Sequence, residues 1–218
     1  MDIIISDEFK AICPGTALGI LRYEATVAAS SSELLGVFDR AAEKLSRQYT
    51  IDTVAENPHI AAARRAYKAL GKSPQEYRNA AEAMLRRIVK NSGLYHICNV
   101  VEINNLISVS SGYSIGSYDA DALKGAVELR RADDGARYDG IGKGSVNIER
   151  LPVLYDELGP FGSPTSDSRR AMIQTGRRKI LSVLYSFDGP GDLVFWMERY
   201  SQNLEQYCGV RGIETRIV

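Results

Sequence analysis

Residues 112–135 read GYSIGSYDADALKGAVELRRADDG, and the periodicity of the chain changes there. Upstream, apolar residues recur at helical spacing; from Gly125 to Arg131 they alternate with polar ones, the period of a half-buried strand. Asp133-Asp134-Gly135 has the composition of a hairpin turn and predicts short strands beyond it, around Tyr138–Ile141 and Val153–Tyr155. On the near side, Tyr95–Ser111 reads as a helix with Ile97, Val100, Val101, Asn104 and Ile107 or Ser108 on one face. Helices early and strands late predict an α+β fold, one domain over residues 1–218 with a mixed or antiparallel β core flanked by several helices, and not a βαβ series.

The rest of the chain extends this pattern. Ile3–Ile5 and Thr16–Val27 read as two strands separated by the Cys13-Pro14-Gly15 turn. A helix starts near Ser31 or Ser32 and carries Leu34, Phe38, Ala41 and Leu45; Asn57-Pro58 opens a second that Gly71 ends. Ser73-Pro74 predicts a third, with Tyr77, Ala81, Met84, Leu85 and Ile88 as its apolar stripe. After an apolar strand at Ile180–Phe187, the breaker Asp188-Gly189-Pro190-Gly191 precedes an amphipathic helix on Leu193, Trp196, Met197, Tyr200, Leu204 and Tyr207, and a strand at Ile213–Ile217 follows.

One segment stands apart by chemistry. Gly159–Arg170, GPFGSPTSDSRR, holds two Gly, two Pro, three Ser, a Thr and an Asp before two Arg. It reads as a polar loop, because each Pro removes a donor and Gly weakens helix and strand alike. Hydroxyls, free N–H groups and guanidinium groups in one constrained loop suit a polar or anionic ligand; the plainer reading is a solvated connection.

Composition narrows the classes. With 44% apolar and 25% charged residues, no apolar run long enough for a membrane helix and no basic, apolar leader at the start, the chain is expected to be cytoplasmic and without a membrane partner. Cys13, Cys98 and Cys208 form no close pair, and His59 and His96 are the only histidines; free thiols and a mechanism without metal or cofactor follow. A formal net charge of zero argues against non-specific coating of nucleic acid, and no DNA partner is expected. Cations nevertheless cluster: Arg64, Arg65, Lys68, Lys72, Arg78, Arg86, Arg87 and Lys90 face only Glu76 and Glu82 over that span. They read as a phosphate-binding face or as solvated helix surface, with Glu82 and Arg86 as a helix-supporting pair. Gly135–Gly144 lacks the spacing of a phosphate loop, and no Gly-x-Ser-x-Gly elbow is present.

Four motifs in order then resemble a known family. VVEINNLI (Val100–Ile107) and GYSIGSYDADALKGAVELRRA (Gly112–Ala132) resemble the B3/B4-type tRNA-editing domain of the phenylalanyl-tRNA synthetase beta subunit. YKALGKSPQEYR (Tyr67–Arg78) and GPFGSPTSDS (Gly159–Ser168) are shared with free-standing bacterial proteins consisting of this domain. The resemblance is strongest over residues 55–190. It implies a domain that binds the aminoacylated 3′ end of a tRNA and hydrolyses a mischarged ester with a positioned water, a second sieve for what a synthetic pocket cannot reject. Asn105 matches the asparagine at the pocket floor, and Ser114, Ile115, Ser117, Tyr118 and Asp119 match a Pro-Leu-x-Ala-Phe-Asp turn. Gly116 stands where the bacterial synthetase has His, and Ile180–Leu184 offers no match for its specificity glutamate.

The resemblance thus implies a pocket of Asn104, Asn105, Ser114, Gly116, Tyr118, Asp119, Gly162, Ser163, Thr165, Ser166 and Asp167. Asn105, Asp119, Ser166 and Asp167 are its catalytic candidates, and Arg169 and Arg170 its phosphate contacts. Arg64, Arg65, Lys68, Lys72, Arg78 and Arg86 would hold RNA. Structural roles compete: Asn104 as a tie between elements, Asp119 as a helix cap, Ser166 and Asp167 as a self-bonded turn. A non-catalytic binding protein for an amino-acid-like ligand or modified nucleotide is the alternative on the same fold.

Overall fold

The computed structural model describes residues 1–218. Its centre is a pair of eleven-residue strands, β2 (Ala17–Val27) and β9 (Gly176–Ser186), antiparallel along their whole length from Ala17↔Ser186 to Val27↔Gly176. β3 (Ser114–Asp119) adds to the free side of β9 and β10 (Glu214–Ile217) to that of β2, giving the order β10-β2-β9-β3. A second sheet has the order β1-β4-β7-β8, from β1 (Ile3–Ile5), β4 (Val127–Arg131), β7 (Pro152–Asp156) and β8 (Gly159–Gly162); only β1 and β4 run parallel. β5 (Arg137–Gly140) and β6 (Gly144–Asn147) form a separate hairpin.

Strand alternation sends successive side chains of β9 to opposite cores. Ile180 and Leu184 meet the helices α5 (Asn99–Ser111) and α6 (Leu193–Cys208) through Val100, Ile103, Met197 and Leu204. Leu181, Val183 and Tyr185 instead meet Val127, Leu129, Leu154 and Phe161 of the second sheet. α2 (Ser32–Gln48), α3 (Pro58–Ala69) and α4 (Ala80–Val89) enclose a smaller core of Leu45, Ile60, Leu85, Ile88 and Val109. The fold is α+β, with one mixed and two antiparallel sheets flanked by helices, in keeping with the change of period at Gly112.

Several local expectations are corrected. Between the first two strands lies α1 (Asp7–Ile12), capped by the Ser6 hydroxyl, and the strands belong to different sheets. The third central helix does not start at Ser73-Pro74: Ser73 bonds the Gln75 side chain, while Asn79 caps Glu82 N at 2.9 Å and starts α4. α5 begins at Asn99 rather than Tyr95, because Asn99 is fastened to the end of β2 through Ala28 N, Ala28 O and Thr26 O. Asp133-Asp134-Gly135 turns the chain without pairing β4 to β5; β4 pairs with β7 and β5 with β6. Residues 159–162 are a strand, not loop, and Pro160 is tolerated because β8 is an edge.

Candidate functional site

β3 supplies the floor of the site, and its alternation divides the expected residues between the two cores. Ser117 points to the helical side. There its hydroxyl donates to Asn104 Oδ1 at 2.9 Å and meets Ser182 at 2.7 Å and Tyr200 at 3.0 Å, with Tyr23 bonded to Ser182 beyond. Asn104 also donates to the Ile115 carbonyl at 3.2 Å, so it is the tie between α5 and β3, and Asn105 beside it is half-buried. Ser114 lies at the start of α4, accepting from Ala81 N and donating to Asn79. Asp119 caps a short 3₁₀ turn through Asp121 N.

Tyr118 points the other way, is fully buried, and brings the remaining residues together. Its ring meets Phe161 edge-on, with centroids 5.0 Å apart, and its hydroxyl sits between the glycines of two strands: a Cβ at Gly116 or at Gly162 would overlap it. That hydroxyl donates to Asp167 Oδ1 at 2.9 Å and lies 2.8 Å from the Tyr185 hydroxyl. Ser163 N donates to the same Asp167 oxygen at 3.3 Å.

The loop after β8 is held by its own hydroxyls and by tyrosines from three other elements. Ser163 Oγ donates to the Ser166 carbonyl and accepts from Thr165 N and Ser166 N, a Ser turn. Tyr138 of β5 donates to the Ser166 carbonyl and to Ser163 Oγ, and the Tyr67 hydroxyl of α3 lies 2.7 Å from Thr165 Oγ1. Ala80 N, at the start of α4, donates to the Pro164 carbonyl at 2.7 Å. The first turn of α4 and the side of α3 that carries Tyr67 therefore abut this loop.

Burial dominates the electrostatics here. It pushes the Asp167 carboxyl up to about 7, against the opposing pull of the Tyr118 hydroxyl and the Ser163 N–H. Tyr118 and Tyr185 are raised by burial and by the Asp167 charge. When Asp167 is ionised, the Tyr118 proton is committed to it and Tyr185 must donate to Tyr118; when Asp167 is protonated the chain can reverse. Asp167, Tyr118 and Tyr185 thus form a proton-holding chain that ends at a half-buried carboxyl.

The cations divide into two groups. Glu82, wholly buried, takes Arg64 at 2.9 Å and Arg86 at 2.9 Å, with Arg78 at 3.9 Å. Lys72 is buried over the Tyr77 ring and beside Glu149, and Arg170 grips the buried Asp156 at 2.8 Å. Apart from Arg78, which is half exposed, these side chains hold the fold together. Arg65, Lys68 and Arg169 are exposed and form no ion pair. His59 bonds Asp188 and His96 faces Glu102, so neither reaches Ser163. The cysteines are free thiols, no three His, Cys, Asp or Glu side chains are grouped to hold a metal ion, and no helix is long and apolar enough to cross a membrane.

The B3/4 domain family matches residues 62–190. The chain belongs to the B3/4 domain family. Tyr67, Tyr118, Tyr138, Asp167 and Tyr185 all fall inside the B3/4 match, whereas β1, β2, α2, α6 and β10 fall outside it. The chain is similar to the phenylalanine–tRNA ligase beta subunit of Tropheryma whipplei (strain Twist), 26% identical over 119 residues, 47% of this chain and 12% of that protein. It is 40% identical over 47 residues to the same subunit of Rickettsia felis, 22% of this chain and 6% of that protein. The chain therefore corresponds to a small part of the length of these relatives. A crystal structure of an N-terminal fragment of the phenylalanyl-tRNA synthetase beta subunit from Pyrococcus horikoshii aligns over 97% of this chain and 50% of that one, with TM-score 0.48 and 12% identity.

Of the residues the sequence nominates, the structure brings Tyr118, Ser163, Thr165 and Asp167 together, and it adds Tyr67, Tyr138 and Tyr185, which sequence reasoning missed, as their partners. No local pattern marks these three, because each reads as an ordinary core residue of its own helix or strand.

Proposed function

We propose that this B3/4 domain acts in trans on aminoacyl-tRNA, hydrolysing the ester that joins a wrongly attached amino acid to the 3′-terminal ribose. The observation that carries the reading is Asp167, a half-buried carboxyl pushed up to about 7 inside the family's matched region. A general base is most effective when it titrates near the working pH. As a carboxylate, Asp167 takes a proton from water as the water oxygen attacks the ester carbonyl. The proton then passes to the departing ribose oxygen, leaving a free amino acid and a tRNA with its terminal hydroxyl restored. Tyr118 and Ser163 N hold the carboxylate in place throughout.

The test is a panel of correctly charged and mischarged tRNAs, with ester loss followed over time. Cleavage of one mischarged member, strongly reduced by Asp167→Asn, is the expected result. No cleavage above the spontaneous rate across the panel, together with no salt-sensitive tRNA binding, overturns the proposal.

A second reading is favoured by Tyr118 itself, which fills the space beside Gly116 where the bacterial synthetase carries a histidine. A B3/4 domain so altered would bind an amino-acid-like ligand or modified nucleotide without cutting it. Saturable binding of an aminoacylated end without ester loss selects this reading over the first.

A further inference from the structure

A groove of about 660 Å³ opens on β2 and β9 and under the 209–214 turn, within the range of small-ligand sites, roughly 300–1,000 Å³. It contains none of the loop residues 159–170. Register explains its chemistry: Glu24 stands opposite Lys179 and Thr26 opposite Arg177 across the central strand pair, on one face. Four cations line the groove, Arg22, Arg177, Lys179 and Arg211, against Glu24 and Glu214. Arg177 is taken by Glu24 at 2.8 Å, and Arg22 donates to the Met1 carbonyl. Lys179 and Arg211 are exposed and make no side-chain hydrogen bond or ion pair within the chain. The N–H groups of Arg211 and Gly212 are also unpaired, in a turn that Gly209 and Gly212 carry through positive φ of 62° and 66°. Two free cations and a turn with unpaired N–H groups lining one groove suit an anion.

The groove reaches the end of β3. Ala120 lines it, one residue beyond Asp119 and two beyond Tyr118, whose hydroxyl bonds Asp167. Asp119 in turn stands opposite Ile180 of the groove wall, with Arg178 3.9 Å from its carboxylate. Much of the groove comes from segments outside the B3/4 match, β2 and the turn between α6 and β10.

We propose that this groove binds the phosphodiester backbone of a single-stranded RNA 3′ end, with Lys179 and Arg211 each contacting a phosphate. The inference rests on the tRNA reading above and adds a surface that the family match covers only in part.

The experiment uses the full chain and a fluorescein-labelled RNA hairpin with a four-nucleotide 3′ overhang, with its blunt counterpart as the second arm, both followed by anisotropy over a salt series. Lys179→Ala with Arg211→Ala is expected to weaken overhang binding about ten-fold and to lower the log–log salt slope by about 1.4, since single strands lose about 0.7 per phosphate contact. The blunt hairpin is expected to bind weakly and to be indifferent to the pair. Arg40→Ala with Lys44→Ala, the same change of charge on exposed positions of α2, is expected to leave overhang binding within two-fold. Equal losses in the two double variants, or an unchanged slope in the first, overturn the groove proposal. If charged tRNA is cleaved and its KM is the same with and without Lys179 and Arg211, the groove falls and the hydrolase stands. If no tRNA is cleaved but the overhang loss is seen, the hydrolase falls and the groove stands.

Discussion

Gly116 and Tyr118 occupy one space: they lie two residues apart on the same face of β3, and the tyrosine hydroxyl rests where a side chain at 116 would begin. The glycine is therefore a packing requirement of Tyr118, and the hydroxyl it admits reaches Asp167 and Tyr185.

Gly116→Ala is accordingly expected to destabilise the protein by about 1–3 kcal/mol, the range for overpacking a filled core. The midpoint of urea unfolding measures it. Tyr118→Phe alone removes the hydroxyl and leaves Asp167 Oδ1 with only the Ser163 N–H. In that background Gly116→Ala should cost less, though not nothing, because the ring would still crowd the new methyl. A fully additive double variant would show that the two side chains do not compete for one space.

Asp167 gives the pH dependence a definite sign. Its folded value of about 7 lies above the ordinary carboxylate range, so between about pH 4 and 7 the folded protein holds a proton that the unfolded chain has released. Its contribution to stability is fully present below about pH 4 and is lost as pH rises through 7. Replacing it by Asn removes the titration. The stability of Asp167→Asn relative to the parent should therefore rise between pH 4 and pH 8, by at most on the order of 4 kcal/mol. Parallel curves of unfolding free energy against pH would exclude the raised carboxyl. Hydrolysis, if Asp167 is its base, should increase with pH through the same interval.

Glu82 is the hub of the cations between Arg64 and Arg86, and it is wholly buried. Glu82→Ala strands two partly buried guanidinium groups, a loss of about 3–5 kcal/mol for breaking a buried pair from one side. Arg78→Ala, at 3.9 Å and half exposed, should change stability by no more than about 0.5 kcal/mol. Denaturant unfolding of the two variants checks both, and comparable losses would contradict this ranking.

What could be read in advance follows from the reach of each interaction. The caps at Ser31 and Asn57 and the alternation of Val127–Arg131 are decided within a few residues, and they stand where the sequence places them. Glu82 and Arg86 are visible as a helical pair, but Arg64, eighteen residues away, is not. The convergence of residues 67, 138 and 185 on the Asp167 loop depends on how two sheets and a helix stack, which no period encodes. The start of α4 is set at similar range: the N–H of Ala80 is satisfied by Pro164, eighty-four residues away.

Arg169 and Arg170 look alike in sequence and differ in what they touch, and that difference can be measured. Arg170 donates to Asp156, whose carboxylate is fully buried, and to the carbonyls of Ala122 and Gly159. Arg170→Ala removes the ion pair of that carboxylate, leaving it the N–H groups of Lys124 and Leu158, and should cost about 3–5 kcal/mol, so any loss of RNA binding in this variant would follow from damage to the fold. Arg169 is exposed and makes no ion pair. Arg169→Ala should leave the unfolding midpoint unchanged while lowering the salt slope of tRNA binding by about 0.7–0.9, one phosphate contact. An unchanged slope would remove Arg169 from the RNA surface and leave Arg65 and Lys68 on α3 as the exposed cations to test.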